Sequence, residues 1–416
     1  MKLKKSLVVL VSGLSVISAC SSNSSNQTVV PEQNNVQQVS ASATRGEKVV
    51  EIKLKKSKDD LMALNIKGFD LFGFDNKAKT IRARVSQDEE TSLKSLNLTY
   101  KVMPEKNMTS KGLMTGYMSY AQMKDKLQAL ADKNPNIASL ADIGDTWEKT
   151  QGKSPKNDIW CLTITNKEKK TKTAKPASLF IGGMHARELA PPEIMYKLAE
   201  TLVSQYGKDP AITELVDTRD INIVPMVNVD GRIQVEQGNN WQRKNTHGQG
   251  VDLNRNFDSY WNYQGLKVPS SWIGSMTSPG SETYSGTAPA SEPEVKAIQN
   301  YYNVKKINAV LDMHAYGEMF FWPVGYSDIP VPEAAIFKDL YENSFKKINY
   351  SGGTSLSLLY ATTGSTDDYG YVKHKALGLG MEIGESFRPS YQEVETMWTQ
   401  LKPGLLYIIK KSNIVL

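Results

Sequence analysis

The chain has 416 residues, of which 40% are hydrophobic and 23% are charged, and its formal net charge is +6. This is the composition of an ordinary globular protein with enough apolar residues for more than one domain. The charge is small for this length and no basic block is interleaved with aromatic residues, so we expect no nucleic-acid partner. The two cysteines, Cys20 and Cys161, cannot build a disulfide framework. Cys161 lies in the apolar run 159–164, which predicts a buried strand.

The N-terminus combines three lysines within the first five residues with an apolar stretch, 7–16, that is too short to span a bilayer comfortably. Ile17, Ser18 and Ala19 then precede Cys20. This pattern resembles the lipobox of bacterial lipoproteins, which implies a signal peptide at 1–19 and acylation of Cys20. The chain would then be anchored to the cell envelope by lipid, at the outer membrane if the bacterium has two, or released outside the cell after processing. An ordinary signal peptide that ends near a cysteine is the alternative.

Residues 20–45 are rich in Ser, Asn and Gln and predict a flexible tether. Residues 46–105 predict a small α+β domain. Its expected strands lie at 49–54, 80–85 and 99–102, and Ser86 is expected to cap a helix that runs to Leu96. By position and pattern the domain resembles the prosegments, inhibitory or chaperoning, that precede many secreted carboxypeptidases; an accessory domain is the alternative. Lys106 and Lys111 would be plausible cleavage points.

Residues 115–416 predict one large α/β domain, because strands and helices alternate along them. The expected helices are 117–134, 191–206 and 291–302, the last with a capping box formed by Ser291 and Glu294. The expected strands are 159–164, 178–181, 221–227 and 307–313, and Pro225 indicates an edge or a bulge in the third.

Candidate metal ligands follow two of these strands. His185 and Glu188 come after 178–181, and His314 ends the strand 307–313. Imidazole nitrogen and carboxylate oxygen suit Zn²⁺, and two histidines with one glutamate leave a fourth position open for catalysis. The other histidines, His247 and His374, are expected at the surface, because no strand end presents them.

Several separate stretches, in the same order, resemble the zinc metallocarboxypeptidases of the carboxypeptidase A/B family over about residues 115–410. They are His185–Ala186–Arg187–Glu188, Asn228–Val229–Asp230–Gly231, Trp241–Gln242–Arg243–Lys244, Asp252–Leu253–Asn254–Arg255–Asn256, His314, Tyr360 and Glu382. The resemblance implies a three-layer α/β/α fold around a mixed, mostly eight-stranded sheet. It also implies one zinc ion, held as in carboxypeptidase A by His185, Glu188 and His314, and substrates that are the C-termini of peptides or proteins.

The same resemblance assigns the remaining roles. Glu382 becomes the general base, and an acid inside an apolar strand-like run also needs a partner or a role; Glu385 is its nearby rival. Arg243 would stabilise the oxyanion. Asn254, Arg255 and Tyr360 would hold the terminal carboxylate, with Tyr360 as a mobile tyrosine that closes over the substrate, and Arg187 would be a second substrate-binding arginine.

Substrate preference is left open. An ungapped match places Asp367 at the base of the side-chain pocket, where a carboxylate favours C-terminal Lys or Arg, but Asp367 is also a candidate turn cap. Ala315 stands where many relatives have serine. A cell-wall peptidase acting on γ-D-glutamyl-diaminopimelate stems would use the same catalytic set, and a non-catalytic envelope binding lipoprotein is the alternative of another class.

Overall fold

The computed structural model describes residues 47–104, 112–153 and 155–416. The predicted lipobox, the tether and the two candidate cleavage lysines lie outside these residues. The described residues belong to one compact unit. Within them, no helix combines the length and the apolar character that a membrane span requires.

The N-terminal residues form a four-stranded sheet with two helices. Its elements are β1 Lys48–Lys53, α1 Ser57–Ile66, β2 Asp70–Asp75, β3 Thr80–Val85, α2 Gln87–Ser95 and β4 Thr99–Val102. The strand order is β2-β3-β1-β4, and all three pairings are antiparallel. The sheet and helices enclose a core of their own that includes Ile52, Leu61 and Leu93. The predicted strands at 49–54, 80–85 and 99–102 are present, and Ser86 caps α2 in a capping box with Glu89.

A second sheet of eight strands forms the centre of the larger part of the chain. The first half of this part contains α3 Tyr120–Lys133, β5 Ala138–Asp145, α4 Trp147–Thr150, β6 Asp158–Ile164, β7 Ala177–Ile181, α5 Ala190–Gln205, α6 Pro210–Thr218, β8 Asp220–Val224 and α7 Val229–Glu236. The second half contains α8 Pro293–Lys305, β9 Ile307–His314, β10 Met319–Phe321, α9 Ala334–Asn343, β11 Ser351–Gly353, α10 Ser355–Leu358, α11 Thr366–His374, β12 Leu377–Glu382 and α12 Tyr391–Lys411. The strand order is β11-β10-β12-β9-β7-β8-β6-β5.

The centre of this sheet is parallel and its flanks are mixed. The strands β12, β9, β7 and β8 pair in parallel, whereas β6 runs antiparallel to β8, and β10 antiparallel to β12. The five residues of β7 are all buried, as expected of a strand covered by helices on both faces. The predicted mixed eight-stranded sheet with flanking helices is therefore confirmed. Since the central strands are parallel, their carboxyl ends meet at one edge, and side chains that follow them converge there.

Several local predictions were wrong. The pattern did not indicate α1, β2, β5 or α6. β8 is a central strand that ends at Val224, so Pro225 follows the strand instead of marking an edge. Ser291 does not cap α8, which begins after Glu292; its hydroxyl bonds the Glu292 carboxylate instead.

Candidate active site

The three predicted metal ligands meet at the carboxyl edge of the central strands. A turn through Gly183, whose φ of +63° suits glycine, leads from β7 to His185 and Glu188, and β9 ends at His314. His185 Nδ1 lies 2.8 Å from Glu188 Oε1 and 3.0 Å from His314 Nδ1. His314 Nδ1 lies 3.2 Å from Glu188 Oε2. All three side chains are buried, and their ligand atoms lie within 4.8 Å of one another.

This donor set fits zinc. Ligands about 2.0–2.2 Å from a tetrahedral zinc ion lie roughly 3.3 Å from each other, close to the separations seen here. The outer nitrogen of each imidazole faces a carboxylate: His185 Nε2 lies 3.0 Å from Asp252 Oδ1, and His314 Nε2 lies 2.9 Å from Asp312 Oδ2. An Nε2–H that donates to a carboxylate leaves Nδ1 unprotonated, which is the form that binds a metal.

Glu382 lies beside the metal ligands, at the end of β12. The parallel register pairs it with His314, so both side chains project from the same face of the sheet. It is half-buried, lines the cleft, and its Oε2 has no hydrogen-bond partner among the described residues. Burial, with the nearby charge of Glu188, raises the pKa of Glu382 to about 8. The rival Glu385 is exposed and lies outside the wall of the cleft.

Arg243 lines the same cleft from the loop after α7. Its Nη2 donates to Asp252 Oδ2 at 2.8 Å, and its Nη1 lies 3.9 Å from Glu188 Oε1. Burial would lower the pKa of Arg243, but the carboxylates of Asp252 and Glu188 raise it above its usual value. A permanent positive charge therefore lies next to the metal ligands.

The predicted carboxylate-binding residues also face the cleft. Asn254 and Arg255 belong to a short 3₁₀ turn capped by Asp252, which accepts a hydrogen bond from the Asn254 backbone N–H at 3.0 Å. The Arg255 guanidinium donates to the Asn254 carbonyl, and within the described chain no carboxylate lies within 4.0 Å of it. Tyr360 is buried in the cleft wall nearby.

Arg187 makes a contact that the sequence did not indicate. Its guanidinium donates two hydrogen bonds, of 2.5 and 2.6 Å, to the two carboxylate oxygens of Asp70 on β2 of the N-terminal sheet. Burial alone would raise the pKa of Asp70, but the charge of Arg187 lowers it below its usual value. Phe72, two residues further along β2, also lines the cleft, and Gly73 passes so close to Tyr316 that a Cβ would lie 2.5 Å from its ring. The N-terminal sheet therefore enters the cleft.

The cleft has a volume of about 90 Å³, and its lining also includes Asp312, Asp367 and Gly380. A Cβ placed on Gly380 would lie 3.6 Å from Asp367 Oδ2, so the missing side chain leaves room in front of this carboxylate. Burial and the charge of Asp312 raise the pKa of Asp367. Ala315 also lines the cleft, where it adds no polar group.

The two remaining histidines lie away from the cleft. His247 is stacked on Trp147 with ring centroids 3.5 Å apart and bonds Glu292. His374 is stacked on Tyr302, and both histidines are half-buried, so each keeps part of its ring at the surface and packs the rest against an aromatic side chain. Asp252, Asp312 and Asp70 had no predicted role. The place of Asp312 could have been predicted from the sequence, because it lies two residues before His314 and therefore shares its face of the strand.

Comparison with known proteins agrees with this geometry. The family model described as zinc carboxypeptidase matches residues 123–403. Bovine carboxypeptidase B is 30% identical over 270 residues, which cover 61% of this chain and 60% of the relative. Bovine carboxypeptidase B2 is 31% identical over 273 residues, with the same coverage of both proteins. The chain thus spans about three fifths of these relatives.

The fold also matches solved structures. The carboxypeptidase A of Helicoverpa armigera superposes with a TM-score of 0.72 at 20% identity, covering 88% of this chain and 97% of that one. The family model extends over more than half of the 416 residues, and it includes the converging His185, Glu188 and His314. The chain therefore belongs to the zinc carboxypeptidase family.

Proposed function

We propose that this protein is a zinc-dependent carboxypeptidase that hydrolyses the C-terminal peptide bond of peptides or proteins. The observation that carries the proposal is the position of Glu382. Its Oε2, which has no partner among the described residues, lies beside the three metal ligands, in a cleft that is also lined by Arg255, whose guanidinium has no carboxylate partner there. A base, a metal-binding trio and a carboxylate receptor thus share one cleft.

The mechanism follows from the residues around the cleft. His185, Glu188 and His314 would hold a zinc ion, which when bound would supply Lewis acidity toward the scissile carbonyl and the attacking water. Glu382 takes a proton from the attacking water and passes it to the amine that leaves. Arg243 offsets the negative charge that develops on the carbonyl oxygen.

Substrate orientation falls to the other polar residues. Arg255 offers a fork of N–H donors that matches both oxygens of a terminal carboxylate, and Asn254 lies directly beside it. Tyr360 covers the bound carboxylate from the cleft wall. Arg187 joins this receptor once Asp70 leaves it.

A digest of a peptide library read from the C-terminus tests the activity. We expect loss of single C-terminal residues, abolition by a zinc chelator and recovery on addition of Zn²⁺. Cleavage that persists in metal-stripped protein would contradict the proposal. Purified muropeptides form a parallel arm, and cleavage there without cleavage of ordinary peptides would point to the cell-wall activity instead.

We further propose a preference for C-terminal Lys or Arg. Asp367 supports it, because a half-buried carboxylate in the wall of the cleft favours a cationic side chain. Carboxypeptidase B is also among the relatives. Comparing kcat/KM for peptides that end in Lys, Leu and Phe decides this point, and a preference for Phe would rule it out.

We infer that the N-terminal domain keeps the enzyme latent, as the resemblance to prosegments suggests. The pair between Asp70 and Arg187 supports this inference, because it occupies a substrate-binding arginine with a carboxylate of the same chain. Full-length protein should gain activity after limited digestion with trypsin, and equal activity before and after cleavage would argue against latency.

Anchorage through a lipid on Cys20 remains a proposal based on the sequence pattern alone. Metabolic labelling with a fatty acid should mark the wild-type chain but not the Cys20→Ala variant. The predicted location in the cell envelope follows only if the label is found.

A further inference from the structure

We propose that Asp312 is a second specificity-determining carboxylate, which acts with Asp367 to hold the cationic side chain of the substrate residue. This inference rests on the proposed carboxypeptidase function and on its preference for basic residues. It adds a residue of the metal-bearing strand β9 to the pocket.

The two carboxylate oxygens of Asp312 have different surroundings. Oδ2 lies 2.9 Å from His314 Nε2 and so has a partner at the metal site. Oδ1 has no hydrogen-bond partner among the described residues, although the side chain is 99% buried. A buried carboxylate oxygen without a donor is costly, which indicates that the donor comes from outside the protein.

The strand register directs Asp312 into the pocket. Asp312 pairs with Gly380 in the parallel register of β9 and β12, two residues before the pair of His314 and Glu382. Since side chains alternate, the pocket and the catalytic residues share one face of the sheet. Gly380 has no side chain, and Asp367 Oδ2 lies 3.6 Å from where its Cβ would be. Both carboxylates therefore line the cleft beside Gly380, one from the paired strand and one from α11.

The charges in this space are not balanced by the protein itself. No lysine or arginine of the described ranges lies within 4.0 Å of Asp312 or Asp367, and His314 is the sole charged or titratable partner of Asp312. The neighbouring Asp368 is turned away, because both of its oxygens accept the Gly325 backbone N–H. A substrate guanidinium or ammonium carries several N–H donors and can serve both carboxylates at once.

The experiment compares kcat/KM for matched peptides ending in Arg, Lys, Leu and Ala, using the full-length chain before and after trypsin treatment. In Asp312→Asn, an amide replaces the carboxylate at similar size. We expect the ratio of basic to neutral substrates to fall about 10- to 100-fold, the range for loss of a hydrogen bond to a charged group. Asp367→Asn should lower the same ratio.

The matched control is Asp252→Asn. Asp252 faces the outer nitrogen of His185 as Asp312 faces that of His314, but it does not line the pocket. If a residue only orients a metal-binding histidine, its substitution should lower kcat/KM for all substrates by a similar factor. It should also lower the zinc stoichiometry. The Asp252 variant should do so while its basic-to-neutral ratio stays constant.

The outcomes separate the two proposals. If wild-type protein releases no C-terminal residue, the proposed function fails. The wild-type protein is expected to cleave basic substrates preferentially. If Asp312→Asn then lowers kcat/KM for all four peptides by the same factor, as Asp252→Asn does, the role of Asp312 in specificity is overturned. Asp312→Ser, which keeps a small acceptor for His314, gives the same readout if the asparagine variant does not fold.

Discussion

Glu382 lies next to the metal ligands, and one of its carboxylate oxygens has no partner in the described part of the chain, so it offers the sharpest test of the chemistry. In Glu382→Gln the amide cannot accept the proton of the attacking water, and we expect kcat to fall about 10²- to 10⁴-fold. Zinc stoichiometry should stay at the wild-type value, because the three ligands are intact. Steady-state kinetics and metal analysis of the same preparation measure both.

The control for this prediction is Glu385→Gln. Glu385 is exposed, three residues away and outside the cleft wall, so its variant should retain wild-type kcat. Near-normal turnover in the Glu382 variant, or a large loss in the Glu385 variant, would show that the wrong glutamate had been assigned.

Among single residues, the sequence predicted those that belong to a motif. It missed those that are brought to the cleft by a contact between distant parts of the chain. His185, Glu188, His314 and Glu382 converge as expected. Asp70 is separated from Arg187 by 117 positions, and nothing in the local pattern of either residue indicates the pair. Such a contact arises where one sheet packs against the other, which periodicity does not encode.

The strand β2 links the N-terminal sheet to the cleft, and Asp70 is the point of contact. In Asp70→Asn the buried guanidinium of Arg187 loses its counter-charge, which weakens the docking of β2. We expect the full-length, uncleaved chain to gain about 10-fold or more in kcat/KM. Asp75→Asn, at the exposed end of the same strand, should leave it unchanged. An uncleaved Asp70 variant no more active than wild type would contradict the role of this pair.

The helix α8 carries a second buried acid, Glu294. Its Oε1 accepts the Trp147 backbone N–H at 2.8 Å, yet burial, with the charges of Glu292 and Asp230, raises the pKa of Glu294 to about 8. Because the folded pKa lies above the ordinary value of 4.5, its contribution to stability is complete below about pH 4.5 and is lost as the pH rises through 8. At neutral and alkaline pH this carboxyl group therefore lowers the free energy of unfolding.

We therefore expect Glu294→Gln to stabilise the protein relative to wild type as the pH rises. The difference in free energy of unfolding should grow by roughly 1–3 kcal/mol between pH 5 and pH 8. Urea titrations at several pH values measure it, with the exposed Glu168→Gln as control. Parallel pH curves for wild type and the Glu294 variant would show that the carboxyl group is not held protonated.

Element prediction succeeded where apolar periodicity was strong and failed where tertiary packing decided. The buried strands β7 and β9 were expected nearly to the residue. The strand β5 has exposed and half-buried residues at its centre, so its sequence lacks a buried-strand pattern, and its position at the sheet edge depends on pairing with β6. In α8, the proline at the first helical position proved a better marker of the start than the predicted serine cap.

At the scale of the molecule, metal binding and folding are linked, because the trio of ligands joins residues 129 positions apart. Zinc should raise the melting temperature of metal-stripped protein. At a zinc concentration a hundredfold above Kd, the free energy of unfolding should increase by about 2.7 kcal/mol. His185→Ala should abolish this response, whereas His247→Ala, away from the cleft, should retain it. An equal response in both variants would place the metal elsewhere.

The register between β9 and β12 has an evolutionary consequence. It places the pair proposed to react, 314 with 382, and the pair proposed to select the substrate, 312 with 380, next to each other on one face of the sheet, while the intervening pair 313 with 381 faces the other side. Substitutions at positions 312 and 380 can change which C-terminal residue is accepted, while positions 314 and 382 keep their geometry. Evolution or protein engineering can thus change the substrate preference while the residues at positions 314 and 382 stay the same.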